Sequence, residues 1–379
     1  MIINNWYVAA ESTEVGESPV PVRMLGCDFV LFRTTDGQAA CLSAVCCHRG
    51  GDLSRGKRLG SCLQCPYHGW EFDRDGRCTK MPALGDDAKP PKRARVDAYP
   101  VEERYGYVWV FLGDMAVGER PALPDFLPMY SDDSWRVIRL KRDWHANWAR
   151  VHENLLDASH LFLVHSFGRH LPAKMTVWPI EKTGCGGQVV QKYPAKAVAV
   201  TAVNQAQAAQ TRPESTVTLD FSIIGLMHRN SQQMSNGYDQ IIWNCLTPVD
   251  AGHTRNFGLH FRNSRKSPEH DAETLKAIEW GLTEDAVVVE RLQPRLMPAT
   301  PAGELWMGTD NMERLYRDQA MAFAQRLGAI DVRRHEDLVR DRVLVIPSPG
   351  RREDPDGWLH GAVPLQAAPG GGASKKAMS

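Results

Sequence analysis

From Trp6 to about Gly113 the apolar positions come in short runs rich in aromatic and β-branched residues, each closed by Gly or Asp. Segments 28–32, 69–72 and 107–112 are the clearest, and this texture predicts short strands. Asp36-Gly37 and Asp75-Gly76 read as tight hairpin turns, because glycine tolerates positive φ. Prolines 121, 124 and 128 then mark a crossing into a region of different period. There 148–165 reads as a helix, and 188–263 alternates in strand-like segments (215–222, 238–243, 255–261) that suggest an antiparallel sheet. Ser267 as N-cap and Pro268 at the first helical position open a long helix that stops near Pro294. An amphipathic helix over 310–328 ends at a glycine. The pattern predicts an α+β chain: an all-β domain over 1–118, a second domain over 119–345, and a Pro- and Gly-rich, mobile tail over 346–379.

Composition narrows the classes. The 379 residues suffice for about two cores. Lys+Arg and Asp+Glu balance at 45 each, so no bulk field calls for nucleic acid or an anionic membrane. No window of about eighteen consecutive apolar residues predicts a membrane span. Nine cysteines without framework spacing suit reduced thiols, and the expectation is a cytoplasmic protein.

Chemistry concentrates in residues 44–72, AVCCHRGGDLSRGKRLGSCLQCPYHGWEF. This stretch holds Cys46-x-His48 and Cys65-x-x-His68, each pair one thiolate and one imidazole. A structural zinc site usually groups its cysteines apart from its histidines. Mixed pairs on two loops suit a Rieske [2Fe–2S] centre, in which one iron takes both Cys and the other both His. CCHRGG followed by CPYHGWEF resembles the cluster motif of Rieske non-heme iron oxygenase α subunits, except that Cys47 stands where that family has Pro. Tyr67 and Ser61 are candidates for hydrogen bonds near the cluster, and Trp70 for a packing role. The basic segment 87–95, with Arg49, Arg55, Lys57 and Arg58, reads either as a docking patch for an acidic electron donor or as a solvated loop.

Asn154, Asp157 and His160 fall on one helical face, and His165 follows His160 by five residues. On an unbroken α-helix these two histidines sit about 140° apart, so one metal requires a local unwinding. Asn154-x-x-Asp157-x-x-His160-x4-His165 after such a first domain resembles the N-x-x-D-x-x-H-x4-H motif of Rieske oxygenase catalytic domains. Two His and one carboxylate leave positions open for O2 beside a substrate. Glu284-Asp285-x4-Glu290 resembles the family segment whose Asp is the third ligand, which assigns Asp285, with Glu284 and Glu290 as alternatives.

The resemblance implies a Rieske domain followed by a helix-grip catalytic domain holding mononuclear Fe(II). O2 is then co-substrate, and NAD(P)H supplies electrons through a separate reductase, with or without a ferredoxin. It also implies a head-to-tail homotrimer in which Asp157, assigned with Asn154 to catalysis, bridges His68 of one protomer to His160 of the next. The motifs look closest to the branch of vanillate and dicamba O-demethylases and chlorophyllide a oxygenase. The implied reaction is hydroxylation or oxidative demethylation of an aromatic, polycyclic or alkaloid-like small molecule. A cis-dihydroxylating dioxygenase and a Rieske electron carrier are the alternatives. Leu161, Phe162, Leu163, Leu226, Met227 and Trp243 are candidates for a pocket lining or plain core, and 230–237 for a lid or a connection.

Overall fold

A computed structural model describes residues 1–166, 175–194, 196–197, 211–298, 300 and 303–367. The part of the expected sheet at 198–210 and the end of the expected tail, 368–379, lie outside the described residues. The N-terminal region is all β. Strand Asn5–Glu11 pairs antiparallel with Tyr107–Leu112, which also pairs with Val101–Arg104. Strands Val20–Met24, Cys27–Arg33, Ala39–Ser43 and Ala98–Tyr99 form a second sheet. A third sheet, Lys57–Leu59, Cys62–Gln64, Glu71–Phe72 and Cys78–Lys80, carries the second Cys/His loop between its second and third strands.

The C-terminal region is built on a 7-stranded antiparallel sheet. Its order runs from Arg136–Trp144 through Thr254–Arg262, Gln240–Pro248, Met227–Met234, Ser215–Ser222 and Gly186–Tyr193 to Ile180–Thr183. One face packs on the N-terminal region: Trp243 lies against Tyr107 and Trp109, and the Tyr107 hydroxyl donates to Gly258 O at 3.0 Å. This contact explains why 107–112 is a continuous apolar run rather than an alternating one, since all its side chains are buried. Trp243, Leu226 and Met227 therefore belong to the core. Residues 230–237, weighed as a lid, finish strand Met227–Met234 and turn into the next strand.

Helices α1 (Trp148–Leu156), α2 (Glu269–Val289) and α3 (Asn311–Leu327) cover the other face. Arg136 and Arg262 both bond Asp271 near the start of α2, and Arg142 bonds Thr283, so α2 lies along the edge strand. Pro268, not Ser267, precedes the first residue of α2, a shift of one position from the expected cap.

The tail assignment needs correcting as far as residue 367. Ile330 pairs with Leu365, helix α4 (Val332–Leu338) sets His335 over Gly26 and Cys27, and Tyr99 donates to Ile346 O at 2.6 Å. Asp97, 1% exposed, takes two hydrogen bonds from Arg351 at 2.7 and 2.8 Å and one from the Ser348 hydroxyl. Arg95 stacks on Trp358 and bonds Asp354, which draws it out of the basic segment proposed for docking. Proline and glycine content misled here because the segment is ordered by charge pairing with another domain, which local composition does not encode.

Breaking a buried pair leaves one charge uncompensated. Asp97→Ala is expected to lower unfolding stability by about 3 kcal/mol in urea, more than the double variant Asp97→Ala/Arg351→Ala does. Equal losses in the two proteins would show that the clamp is not an electrostatic one.

Candidate metal centres

The two Cys/His loops repeat one construction. Gly50 N–H donates to Cys46 O at 3.0 Å and Gly69 N–H to Cys65 O at 3.1 Å, with the glycines at φ +67° and +74°. Cys46 N–H then donates to Gly51 O, and Cys65 N–H to Trp70 O. Each turn needs a glycine where the chain enters the left-handed region. Gly51 is constrained differently: a Cβ there would lie 3.0 Å from Cys65 Sγ. Cys46 and Cys65 are buried, whereas His48 is exposed and His68 half-buried. The two imidazoles meet edge to face at 4.4 Å, His48 stacks on Trp70 at 4.4 Å, and Tyr67 lies 3.8 Å from His68. Thiols inside and imidazoles outside suit two adjacent irons better than one ion sharing all four donors. Ser61, a candidate for tuning the cluster, instead bonds Thr35 through its hydroxyl at 2.7 Å. Cys47 is buried in the core behind its loop.

Helix α1 begins at Asn147, whose side chain accepts from Ala149 N–H, and it ends nine residues before the expected His165. Asp157 ends it. Its Oδ1 accepts from Ser159 N–H and Oγ, and its Oδ2 from His160 N–H, so the side chain replaces the helical carbonyls as partner. The chain then turns through His160–Phe162 and brings His165 beside His160, their rings 5.1 Å apart. The unwinding thus falls before His160 as well as between the two histidines.

Three ligand atoms converge. His160 Nε2 and His165 Nε2 lie 3.3 and 3.2 Å from the same oxygen of Asp285, Oδ1, on α2. That oxygen is buried and its contacts lack hydrogen-bond geometry, so the atoms point at a common centre instead of at each other. Donors about 2.1 Å from an ion and roughly at right angles lie about 3 Å apart, which these distances match. Among the described residues, His160, His165 and Asp285 are the group whose three donors fall within 4.8 Å of one another. The donor set fits a 2-His-1-carboxylate iron site.

A carboxylate backs each imidazole. Asp157 Oδ2 lies 3.2 Å from His160 Nδ1, and Glu284 Oε2 lies 3.0 Å from His165 Nδ1. Such partners fix the tautomer with Nε2 free and raise ligand basicity. Glu284, weighed in the sequence as a ligand, is thus a partner of a ligand. Glu290 turns away and accepts from His145 N–H. The Asn154 side chain has no hydrogen-bond partner among the described residues, and its carbonyl accepts from Asp157 N–H. Leu163 is exposed, while Leu161 and Phe162 are half-buried. No sequence signal pairs Glu284 with His165, because the contact joins α2 to a non-helical segment 119 residues away.

Burial works against protonating His160, but its bond to Asp157 and the neighbouring carboxylate of Asp285 outweigh burial and raise it to about 9. Burial likewise opposes ionising Asp285, yet the two imidazoles hold it down at about 2.

Comparison with known proteins shows the family of both halves. Residues 5–100 match the family model of the Rieske [2Fe–2S] domain, and residues 144–326 that of the vanillate O-demethylase oxygenase C-terminal domain. The iron–sulfur subunit TsaM1 of the Comamonas testosteroni toluene-4-sulfonate monooxygenase system is 32% identical over 51% of this chain and 55% of its own length. The oxygenase component of dicamba O-demethylase from Stenotrophomonas maltophilia is 37% identical over 43% of this chain and 47% of its own. The chain thus spans about half the length of these relatives. The structure of Pseudomonas putida CBB5 NdmA with caffeine superposes with TM-score 0.71 at 26% identity, covering 83% of this chain and 88% of that one.

The pKa directions set a pH dependence for protein stripped of metal. His160 binds its proton more tightly folded than unfolded, so its contribution is present below pH 6.5 and lost as pH rises through about 9. Asp285 contributes above pH 3.8 and loses that contribution as pH falls toward 2. Melting of chelator-treated protein should therefore drop as pH rises from 6.5 to 9. A melting temperature flat across that window would contradict the coupling.

Proposed function

Because this chain belongs to the Rieske oxygenase α subunits, with a C-terminal domain of the vanillate O-demethylase oxygenase kind, we propose that it hydroxylates or oxidatively demethylates an aromatic or heteroaromatic small molecule with O2. Electrons come from NAD(P)H through a separate reductase. The observation that carries the reading is the His160/His165/Asp285 triad, two of its members buried and His160 half-buried, with both imidazoles backed by carboxylates. Relatives named as demethylases and as a monooxygenase support the same class of chemistry.

Cys46 and Cys65 would hold one iron of the [2Fe–2S] cluster, His48 and His68 the other, and His160, His165 and Asp285 the mononuclear Fe(II). Once bound, the two centres supply one-electron transfer and reductive activation of O2. The protein's own part is to position them. Asp157 orients the His160 ring through Nδ1, and Ser159 holds Asp157 in turn. Glu284 does the same for His165. Three protein donors leave the remaining coordination positions open to O2 and substrate. His48, Arg49 and Tyr67 are exposed at the tips of the cluster loops. A head-to-tail trimer would set His68 of one protomer against Asp157 of the next, which makes that carboxylate the bridge between centres.

Asp285→Ala should keep the absorbance of the reduced and oxidised cluster and lose the mononuclear iron. Asp157→Asn should keep both metals and slow reductase-dependent oxygen uptake by about 10- to 100-fold, measured across methoxy-arenes and N-methyl heterocycles. Full iron and full activity in Asp285→Ala would move the third ligand elsewhere. Unchanged single-turnover rates in Asp157→Asn would remove the bridge.

A further inference from the structure

The sheet face beneath α1 and α2 carries several polar side chains, and their polar atoms are incompletely paired. His228 stands opposite Asn244, and Asn230 stands opposite Ile242, which in turn stands opposite His260, so these side chains share one face. His152 of α1 lies 6.4 Å from the His228 ring, and α2 is tied to the neighbouring edge strand through Thr283. His228 and His260 are each 3% exposed.

Hydrogen bonds fix which nitrogen of each imidazole carries the proton. The Gln240 amide donates to Gln232 Oε1 at 2.6 Å, which leaves Gln240 Oε1 to face His260 Nε2 at 3.2 Å. An amide oxygen only accepts, so His260 carries its proton on Nε2 and offers Nδ1 as a bare acceptor. Asn256 donates to Asn244 Oδ1 at 2.9 Å, which turns the Asn244 amide NH2 toward His228 Nδ1 at 3.4 Å. His228 therefore carries its proton on Nε2 and offers a donor there. His260 Nδ1, His228 Nε2 and Asn230 Oδ1 all lack a partner. Burial keeps both rings neutral, drawing His228 down to about 3 and His260 to about 4.

Buried polar groups are almost always paired, so three unpaired ones gathered on the face that α1 and α2 cover call for a ligand. The residues paired with them across the sheet, from Leu219 and Phe221 to Ile138 and Leu140, include no charged side chain on this face. A carboxylate offers acceptors only, and the cation next along this face, Arg262, is already engaged by Asp271 and by Arg265 O. We infer that this face receives a neutral substrate that gives an N–H or O–H to His260 Nδ1 and an acceptor to His228 Nε2–H, the chemistry of a lactam, a secondary amide or a hydroxyarene. The inference rests on the reading of the triad as the catalytic iron site, and it makes His260 and His228 the residues that select the substrate.

The test uses matched probes with the iron-loaded protein. Calorimetry compares 1-methyluracil with 1,3-dimethyluracil, 2-methoxyphenol with 1,2-dimethoxybenzene, and each with 2-methoxybenzoate. The nitric oxide adduct of the mononuclear iron reports by paramagnetic resonance whether each probe reaches the site. The donor-bearing member of a pair should bind at least about 10-fold more tightly than its methyl-capped partner and than the benzoate. His260→Phe should bring that ratio to about one. Gln240→Leu, which frees the His260 tautomer without touching its ring, should lower the ratio as well. Equal or reversed ratios, tightest binding of the benzoate, no binding by any donor-bearing probe, or a preference that survives both variants would overturn the inference. A normal nitric oxide signal in those cases leaves the iron site standing. Its loss from unaltered, iron-loaded protein would instead sink the functional reading, and this one with it.

Discussion

Two imidazole nitrogens, held 3.2–3.3 Å from one buried carboxylate oxygen, set the terms for the C-terminal half of the molecule. Without a cation, the arrangement asks a buried carboxylate to be satisfied by two ring nitrogens that do not aim at it. With one, every lone pair has a use. The carboxylates behind the rings, Asp157 and Glu284, then become necessary, because each fixes the tautomer that leaves Nε2 free.

The surrounding architecture holds those few atoms in place. Asp271, gripped by Arg136 and Arg262, and Thr283, bonded by Arg142, bind α2 along the edge strand and so position Asp285. Asp157 ends α1 and turns the chain so that His165 can return. A buried network of Arg150, Glu153, Glu304 and Arg317 ties α1 to α3. On the opposite side, the aromatic contact of Trp243 with Tyr107 and Trp109 joins the sheet to the N-terminal region. The clamp of Asp97 on Ser348 and Arg351 closes the chain back over that region.

Much of this was legible in the residues. The pairs Cys46/His48 and Cys65/His68 were readable because short loops keep their ligands near each other in sequence. His160, His165 and Asp285 were readable because a spacing pattern survives folding. Three things were not. The tail from 346 to 367 is ordered by an ion pair to Asp97, some 250 residues away, and its own composition says only that it lacks a core. The end of α1 at Leu156 depends on a side chain, Asp157, competing with helical carbonyls, a balance that propensity does not resolve. The polar sheet face was hidden because His228, Asn244 and His260 look like ordinary strand residues until the register aligns them.

The account depends most on where metal sits. Anomalous scattering at the iron edge from crystals of protein loaded with iron under anaerobic conditions tests that directly. The account predicts two adjacent iron peaks between the Cys46 and Cys65 thiols and the His48 and His68 imidazoles, and a third peak among His160, His165 and Asp285. Zinc between the loops, or no peak within the triad of fully loaded protein, would contradict it.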